Sequence, residues 1–191
     1  DIQLQISELT TDEILQRIKS NKLDAGLMAI PLNDPDIVEI PLFNEEFVVY
    51  SSYKQAGSQK KFILPAELDV NRLWLLEEGH CLRSQILNIC ELKGNDQQQF
   101  KLTASSLETL KKVVDIYEGI TILPALSLNE LSPTQMENIY YFKSPVPARK
   151  IGMVCFRYFV KEKLLNALKE EILKVIPEEM LSEERKMMVA L

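Results

Sequence analysis

The residues best equipped for chemistry lie in one run, Glu77-Glu78-Gly79-His80-Cys81-Leu82-Arg83-Ser84-Gln85-Ile86-Leu87-Asn88-Ile89-Cys90. It holds the only histidine of the chain and two of its three cysteines. Leu73-Trp74-Leu75-Leu76 ahead of it is a short apolar run that suits a buried strand, and Glu77-Glu78-Gly79 reads as a turn. Residues 82–92 then have helical spacing, with Leu82, Ile86, Leu87 and Ile89 apolar. Cys81 therefore falls at or just before a helix N-terminus, where free backbone N–H groups and the positive end of the helix dipole favour an anion. His80 precedes it and Arg83 follows, a setting that favours the thiolate, the reactive form of a cysteine.

The second cysteine of the run poses a geometric problem. On one regular helix, a spacing of nine residues from Cys81 to Cys90 means roughly 13 Å of rise and opposite faces. A disulfide needs Cα atoms within about 7 Å. Two readings stay open on the residues alone. The cysteines are small apolar side chains that never bond, the ordinary fate of free cysteine, or they bond only when this helix unravels. The second would make the run a redox switch.

Little else in the chain carries chemistry. Six glycines are scattered singly, so there is no Gly-rich phosphate loop, and neither CxxC nor HExxH occurs. One histidine with three distant cysteines makes a poor zinc site, and no metal or cofactor is expected. A Ser–His–Asp triad built on His80 lacks any nucleophile-elbow signature. Cys155, within Met153-Val154-Cys155-Phe156, reads as core.

The wider bounds are set by size and charge. With 191 residues there is room for one large domain or two small ones. A net charge of −6 and a pI near 5.0 argue against this chain clamping nucleic acid itself. No run of about 18 apolar residues suggests a membrane span, and no charged n-region with an apolar stretch suggests a signal peptide. An odd cysteine count does not suit a secreted disulfide framework, so a reducing cytoplasm is expected. The chain does not begin with Met and opens on a strand-like segment, as a trimmed piece would.

The elements that position the cysteine run follow in order. Residues 1–6 alternate apolar and polar, as a half-buried strand does, and Thr10 with Glu13 forms a capping box for a helix carrying Ile14, Leu15 and Ile18. Residues 24–30 read as a strand stopped by Pro31, which together suggests a parallel α/β layer. Residues 33–41 read as repeated turns, 47–50 as a strong strand, 55–61 as a polar surface loop and 65–68 as a short helix. After the cysteine helix come a Gly94-Asn95-Asp96 turn and a strand over 100–103. Ser105 and Glu108 suggest a second capping box, opening a helix that Gly119 stops; a strand over 120–123 follows. Residues 139–142 suit an edge strand, 151–157 a further strand, and 162–176 an amphipathic helix with Leu165, Leu168, Ile172, Val175 and Ile176 on one stripe. The charged, Met-containing tail after Pro177 is open between a further helix, a partner contact and a frayed end. Stiff connectors near Pro41 and Pro145 to Pro147 suggest two α/β lobes, with a ligand or reactive site between them.

The run Leu75-Leu76-Glu77-Glu78-Gly79-His80-Cys81-Leu82-Arg83, the cysteine nine residues on, and Ser106-Leu107-Glu108-Thr109-Leu110 resemble the hydrogen-peroxide-sensing LysR-type transcription regulators. Gly119-Ile120-Thr121-Ile122-Leu123-Pro124-Ala125, Lys22-Leu23-Asp24, Pro41-Leu42-Phe43 and Ile151-Gly152-Met153-Val154 extend the resemblance over most of the chain. It implies an α/β fold of two Rossmann-like lobes of the periplasmic-binding-protein type joined by crossover strands. One lobe would combine residues 1–43 with 148–191; the other, 44–147, would carry the redox cysteines. It implies, N-terminal to residue 1, a winged helix-turn-helix and a first strand and helix with a further peroxide-contacting threonine.

By the same resemblance Cys81 matches the cysteine that peroxide oxidises and Cys90 the one that closes a reversible disulfide with it, rearranging a dimer to alter transcription of oxidative-stress genes. His80 and Arg83 match neighbours of the reactive thiol, Thr11 a threonine that helps bind peroxide or water, and Arg149 an arginine near the site. The flanking Thr10 and Asp12 depart from the family pattern. Read without the family, Thr11 is a helix cap and Arg149 a solvated charge. The partners implied are the chain itself (dimer, and tetramer in the full protein), DNA, RNA polymerase, and a glutaredoxin- or thioredoxin-type reductant; no enzyme activity is implied. A metabolite-binding LysR-type effector domain with incidental cysteines and a thiol peroxidase are the alternatives.

Overall fold

Two long antiparallel strands organise the molecule, of which the computed structural model describes residues 3–53, 61–92 and 103–190. The elements are α1 (Thr11–Lys19), β1 (Gly26–Ile30), β2 (Ile37–Ser51), β3 (Phe62–Ile63), β4 (Leu75–Leu76), α2 (Cys81–Ile89), β5 (Thr103–Ala104) and α3 (Leu107–Ile116). They continue with β6 (Ile120–Pro124), α4 (Pro133–Met136), β7 (Ile139–Phe142), β8 (Val146–Phe156), α5 (Glu162–Val175) and β9 (Lys186–Met188). β2 is 15 residues long. Its first part, Ile37 to Glu46, pairs with β8; its last part, Phe47 to Ser51, pairs with β6 on one edge and β7 on the other. β2 and β8 thus tie two layers together.

In the first lobe β8 lies between β1 and β2, antiparallel to both. The alternation of side chains along a strand sends Ala29, Ile151, Met153 and Cys155 to one face, where Leu165, Leu168 and Ile172 of α5 cover them. Met28, Ile30 and Val154 go to the other face and meet Ile14 and Ile18 of α1. In the second lobe β5 is parallel to β4, Leu73 makes a parallel bridge to Ile120, and β3 is parallel to β7. β2 alone runs against these strands. Phe47 and Val49 face the core that α2 fills, and Val48 and Tyr50 face the cluster with Val114 of α3. Both faces of this segment are covered, which is why 47–50 reads as an unbroken apolar run. The fold is the expected one: α/β, two Rossmann-like lobes of the periplasmic-binding-protein type, joined by crossover strands.

Several local expectations are corrected. Residues 3–10 form no strand, and Leu4 and Ile6 are 63% and 83% exposed, because no described strand offers them a ladder. The first layer is antiparallel, since β1 pairs with β8 from the far end of the chain. Residues 37–41 are strand, and Pro41 sits in β2 at a register shift between Pro41 and Phe43, the kind of irregularity that accommodates proline. Pro147 likewise lies inside β8, paired with Met187. The lobes are therefore joined by continuous strands, not by proline connectors. β7 is internal, between β2 and β3.

The cap of α3 is Ser106, which accepts from the Thr109 N–H at 3.2 Å, one residue later than the Ser105–Glu108 box; Glu108 instead pairs with Lys111. The left-handed residue ending α3 is Glu118 (φ 49°), not Gly119. Gly119 has a different constraint, for a Cβ there would lie 2.3 Å from Cδ1 of Trp74. In the tail, Glu178–Met180 is a 3-10 turn and β9 joins the start of β8. The 94–96 turn, most of the 55–61 loop and residues 100–102 lie outside the described residues.

Candidate functional site

The cysteine helix is built by the turn before it. Gly79 takes φ +91°, a left-handed conformation open to glycine. His80 then stands extended as the N-cap of α2, with no side-chain cap bond, while the Arg83 N–H donates to the His80 carbonyl at 3.0 Å. The Arg83 side chain is buried and folds back so that Nη1 donates to the Leu76 carbonyl of β4 at 2.8 Å. Leu82, Ile86, Leu87 and Ile89 fill the core of the second lobe. At the other end Leu92 donates its N–H to the Leu87 carbonyl at 2.9 Å, and Glu91 takes a left-handed φ of 54°. Such a conformation costs a non-glycine residue about 1–2 kcal/mol.

The two cysteines of this helix are free and half-buried, in different surroundings. Cys81, the first residue of α2, packs against the apolar cluster of the first lobe, with Ala125 and Leu126. Cys90, the C-cap, packs into the core of the second lobe, and burial pushes its thiol up to about 11. Cys155 is buried as core, its thiol raised by burial and by the Glu162 carboxylate.

Arg149 is no solvated charge. Its Nε and Nη2 donate to Oε2 of Glu45 at 2.9 and 2.8 Å, across the β2–β8 ladder where the two residues are partners. Glu45 is 3% exposed, and its Oε1 accepts the Leu126 N–H at 3.1 Å. Leu126, which Glu45 holds, and Cys81 both pack against the apolar cluster of the first lobe. Thr11 stands apart. The cap is Thr10, Thr11 is the first helical residue of α1, and α1 packs on the opposite face of the first-lobe sheet. No hydrogen bond joins Thr11 to the cysteine helix among the described residues. Sequence reasoning missed Glu45 and also Gln85, one turn after Cys81, which is 1% exposed with its Oε1 unpartnered. A second missed contact ties the helix down: Asn88 Nδ2 donates to the Ala190 carbonyl at 3.2 Å, and Val189 packs on the second-lobe core.

Among the described residues no group of three or more His, Cys, Asp or Glu could hold a metal ion, and no helix is long and apolar enough to cross a membrane.

Comparison with known proteins adds a family to this geometry. The profile described as LysR substrate binding domain matches residues 1–175. The chain is 33% identical over 175 residues to a probable hydrogen peroxide-inducible genes activator of Streptomyces viridosporus, covering 88% of this chain and 56% of that protein. It is 31% identical over 155 residues to the DNA-binding transcriptional dual regulator OxyR of Escherichia coli K12, covering 80% and 50%. The chain thus spans about half the length of these curated relatives. Among solved structures, OxyR from Porphyromonas gingivalis superposes with a TM-score of 0.85 at 28% identity, covering 97% of this chain and 85% of that one. The reduced form of the OxyR regulatory domain from Pseudomonas aeruginosa superposes with a TM-score of 0.73 at 27% identity, covering 86% and 79%.

Proposed function

The chain belongs to the LysR substrate binding domain family, and from that premise we propose that it is the peroxide-sensing regulatory domain of a LysR-type transcription regulator, switched by Cys81 and Cys90. The observation that carries this reading is the placement of two free thiols at the two ends of one short helix, in contrasting environments. The relatives named for hydrogen peroxide supply the oxidant.

The chemistry balances in two steps. Sulfur of the Cys81 thiolate attacks one peroxide oxygen; the S–O bond forms, the O–O bond breaks, and hydroxide leaves. Sulfur loses two electrons and peroxide gains them. The sulfenic acid then meets the Cys90 thiol: the S–S bond forms, the S–O bond breaks, and water leaves. Cys90 begins half-buried and protonated, so it is slow to react until α2 opens and frees it. His80 and Arg83 flank the reacting thiol, Arg149 supplies a cation at the junction, and Thr11 contributes to peroxide or water binding in this reading. Closure stabilises the opened form by about 2–3 kcal/mol of loop entropy, against helix packing that is lost, so the bond stays reducible.

Residues 1–43 with 148–191 form one regulatory lobe and 44–147 the other. The protein acts in the cytoplasm as a dimer or tetramer and binds DNA through an N-terminal winged helix-turn-helix. It communicates with RNA polymerase and is reset by a glutaredoxin- or thioredoxin-type reductant. It is a stoichiometric sensor, not an enzyme.

The test is brief exposure to hydrogen peroxide followed by alkylation and peptide mass analysis. A Cys81–Cys90 disulfide is expected. Oxidation of Cys155 with Cys81 and Cys90 untouched would sink the assignment.

A further inference from the structure

We propose that Glu45 is the positioning residue of this site, holding the Arg149 guanidinium and the Leu126 wall in place for reaction at Cys81; this rests on Cys81 being the oxidised cysteine. A carboxylate that is 3% exposed inside a strand is expensive to keep, and an apolar cross-strand pair would hold β2 to β8 as well or better. The cost points to what the charge does.

Glu45 spends its acceptors on two separate elements. Oε2 takes both Nε and Nη2 of Arg149 on β8, and Oε1 takes the backbone N–H of Leu126 in the 3-10 turn after β6. A guanidinium has five N–H donors in a fixed fork. Glu45 engages two, and the Arg149 side chain makes no other hydrogen bond among the described residues, which leaves three donors free. The two-pronged grip fixes the plane of the guanidinium, with its carbon 5.8 Å from the Phe47 ring centroid, and so fixes where those free donors lie. Leu126 packs against the apolar cluster that Cys81 borders. One carboxylate thereby sets a cationic donor from β8 and the apolar wall from the turn in a single frame at the lobe junction.

The chemistry gives that frame a use. When the O–O bond breaks, negative charge develops on the departing oxygen, and a preoriented guanidinium stabilises it without reorganising. Glu45 touches neither thiol nor peroxide in this scheme; it acts through Arg149.

The experiment follows consumption of the Cys81 thiol by hydrogen peroxide, read by timed alkylation and peptide mass analysis, alongside thermal melting, for E45Q, R149Q and the double variant. Each single variant is expected to slow Cys81 oxidation by roughly tenfold or more. Each also lowers the melting temperature, because a buried charge loses its partner. In the double variant two neutral amides face each other. Melting temperature should recover, while oxidation stays as slow as in R149Q alone. A merely structural pair would recover both, and that result overturns the proposal, as does E45Q reacting at the unsubstituted rate. If a single variant fails to fold, the double variant still decides. Failure of the functional reading looks different: Cys81 of the unsubstituted protein would not react with peroxide at all.

Discussion

Cys81 and Cys90 stand at opposite ends of one helix and face different cores: Cys81 opens α2 against the first lobe, and Cys90 caps it inside the second. At 1.5 Å per residue their backbones are about 13 Å apart along the axis, against the roughly 7 Å a disulfide allows. The helix and the bond exclude each other.

Oxidation should therefore melt α2. Circular dichroism at 222 nm is expected to fall by about one short helix when peroxide is added, and amide exchange over residues 81–90 should speed up while α5 stays protected. Full retention of helix signal in protein shown by mass to carry the bond would contradict the mechanism.

The raised Cys90 thiol makes a pH prediction. Burial moves it from the ordinary 9.0 to about 11 in the folded chain. Below pH 9 the thiol is protonated both folded and unfolded, and its contribution to stability is full. Between 9 and 11 the unfolded chain releases the proton and the folded chain does not, so stability falls as pH rises through that window. Denaturant midpoints of the reduced protein at pH 8, 9.5 and 10.5 check this, with C90A expected to lose part of the slope. Alkylation of Cys90 in the folded reduced protein should stay slow up to about pH 10.

Gly119 offers a packing test. A Cβ there would lie 2.3 and 2.4 Å from Cδ1 and Nε1 of Trp74. G119A is expected to destabilise by about 1–3 kcal/mol, the usual cost of overpacking, and to shift the emission of the single tryptophan. Unchanged stability would mean that Trp74 relaxes freely.

Much of this architecture was legible in local sequence, and the failures share a cause. The Thr10–Glu13 box and the stop at Pro31 depend on neighbours within a few residues, and they appear as expected; of the α5 stripe Leu165, Leu168, Ile172 and Ile176 pack on the first-lobe core, while Val175 is 79% exposed. Pro41 and Pro147 read as breaks because proline cannot complete a regular ladder; a register shift 111 residues from its partner strand's Gly152 is invisible locally. Residues 1–6 alternate like a strand, yet a strand needs a ladder that sequence does not reveal. Glu45 did leave a signal, a carboxylate on the face of β2 that Phe43 and Phe47 share, implying a buried charge with a partner. Which of the chain's cations answers it is fixed by the β2–β8 register alone.

The contact between α2 and the C-terminal tail yields a last prediction. Asn88 Nδ2 holds the Ala190 carbonyl, the Val189 N–H donates to the Ala148 carbonyl at 2.8 Å, and Val189 packs on the second-lobe core. Opening α2 must break the first of these and disturb the last. N88A is a poor probe, since the hydrogen bond lost is worth about 0.5–1.5 kcal/mol and alanine returns about 0.6 kcal/mol of helix propensity. Truncation after Met188 is cleaner: it removes Val189 and Ala190, leaves the helix sequence intact, and keeps Lys186, whose Nζ donates to the Ser182 carbonyl at 2.8 Å. Disulfide closure after peroxide should then speed up, by roughly tenfold if about 1.4 kcal/mol of tail contact is lost. The initial oxidation of Cys81 should not change, because that step precedes helix opening. Quenched-flow alkylation resolves the two steps. Equal closure rates with and without the last three residues would show that the tail does not restrain the helix.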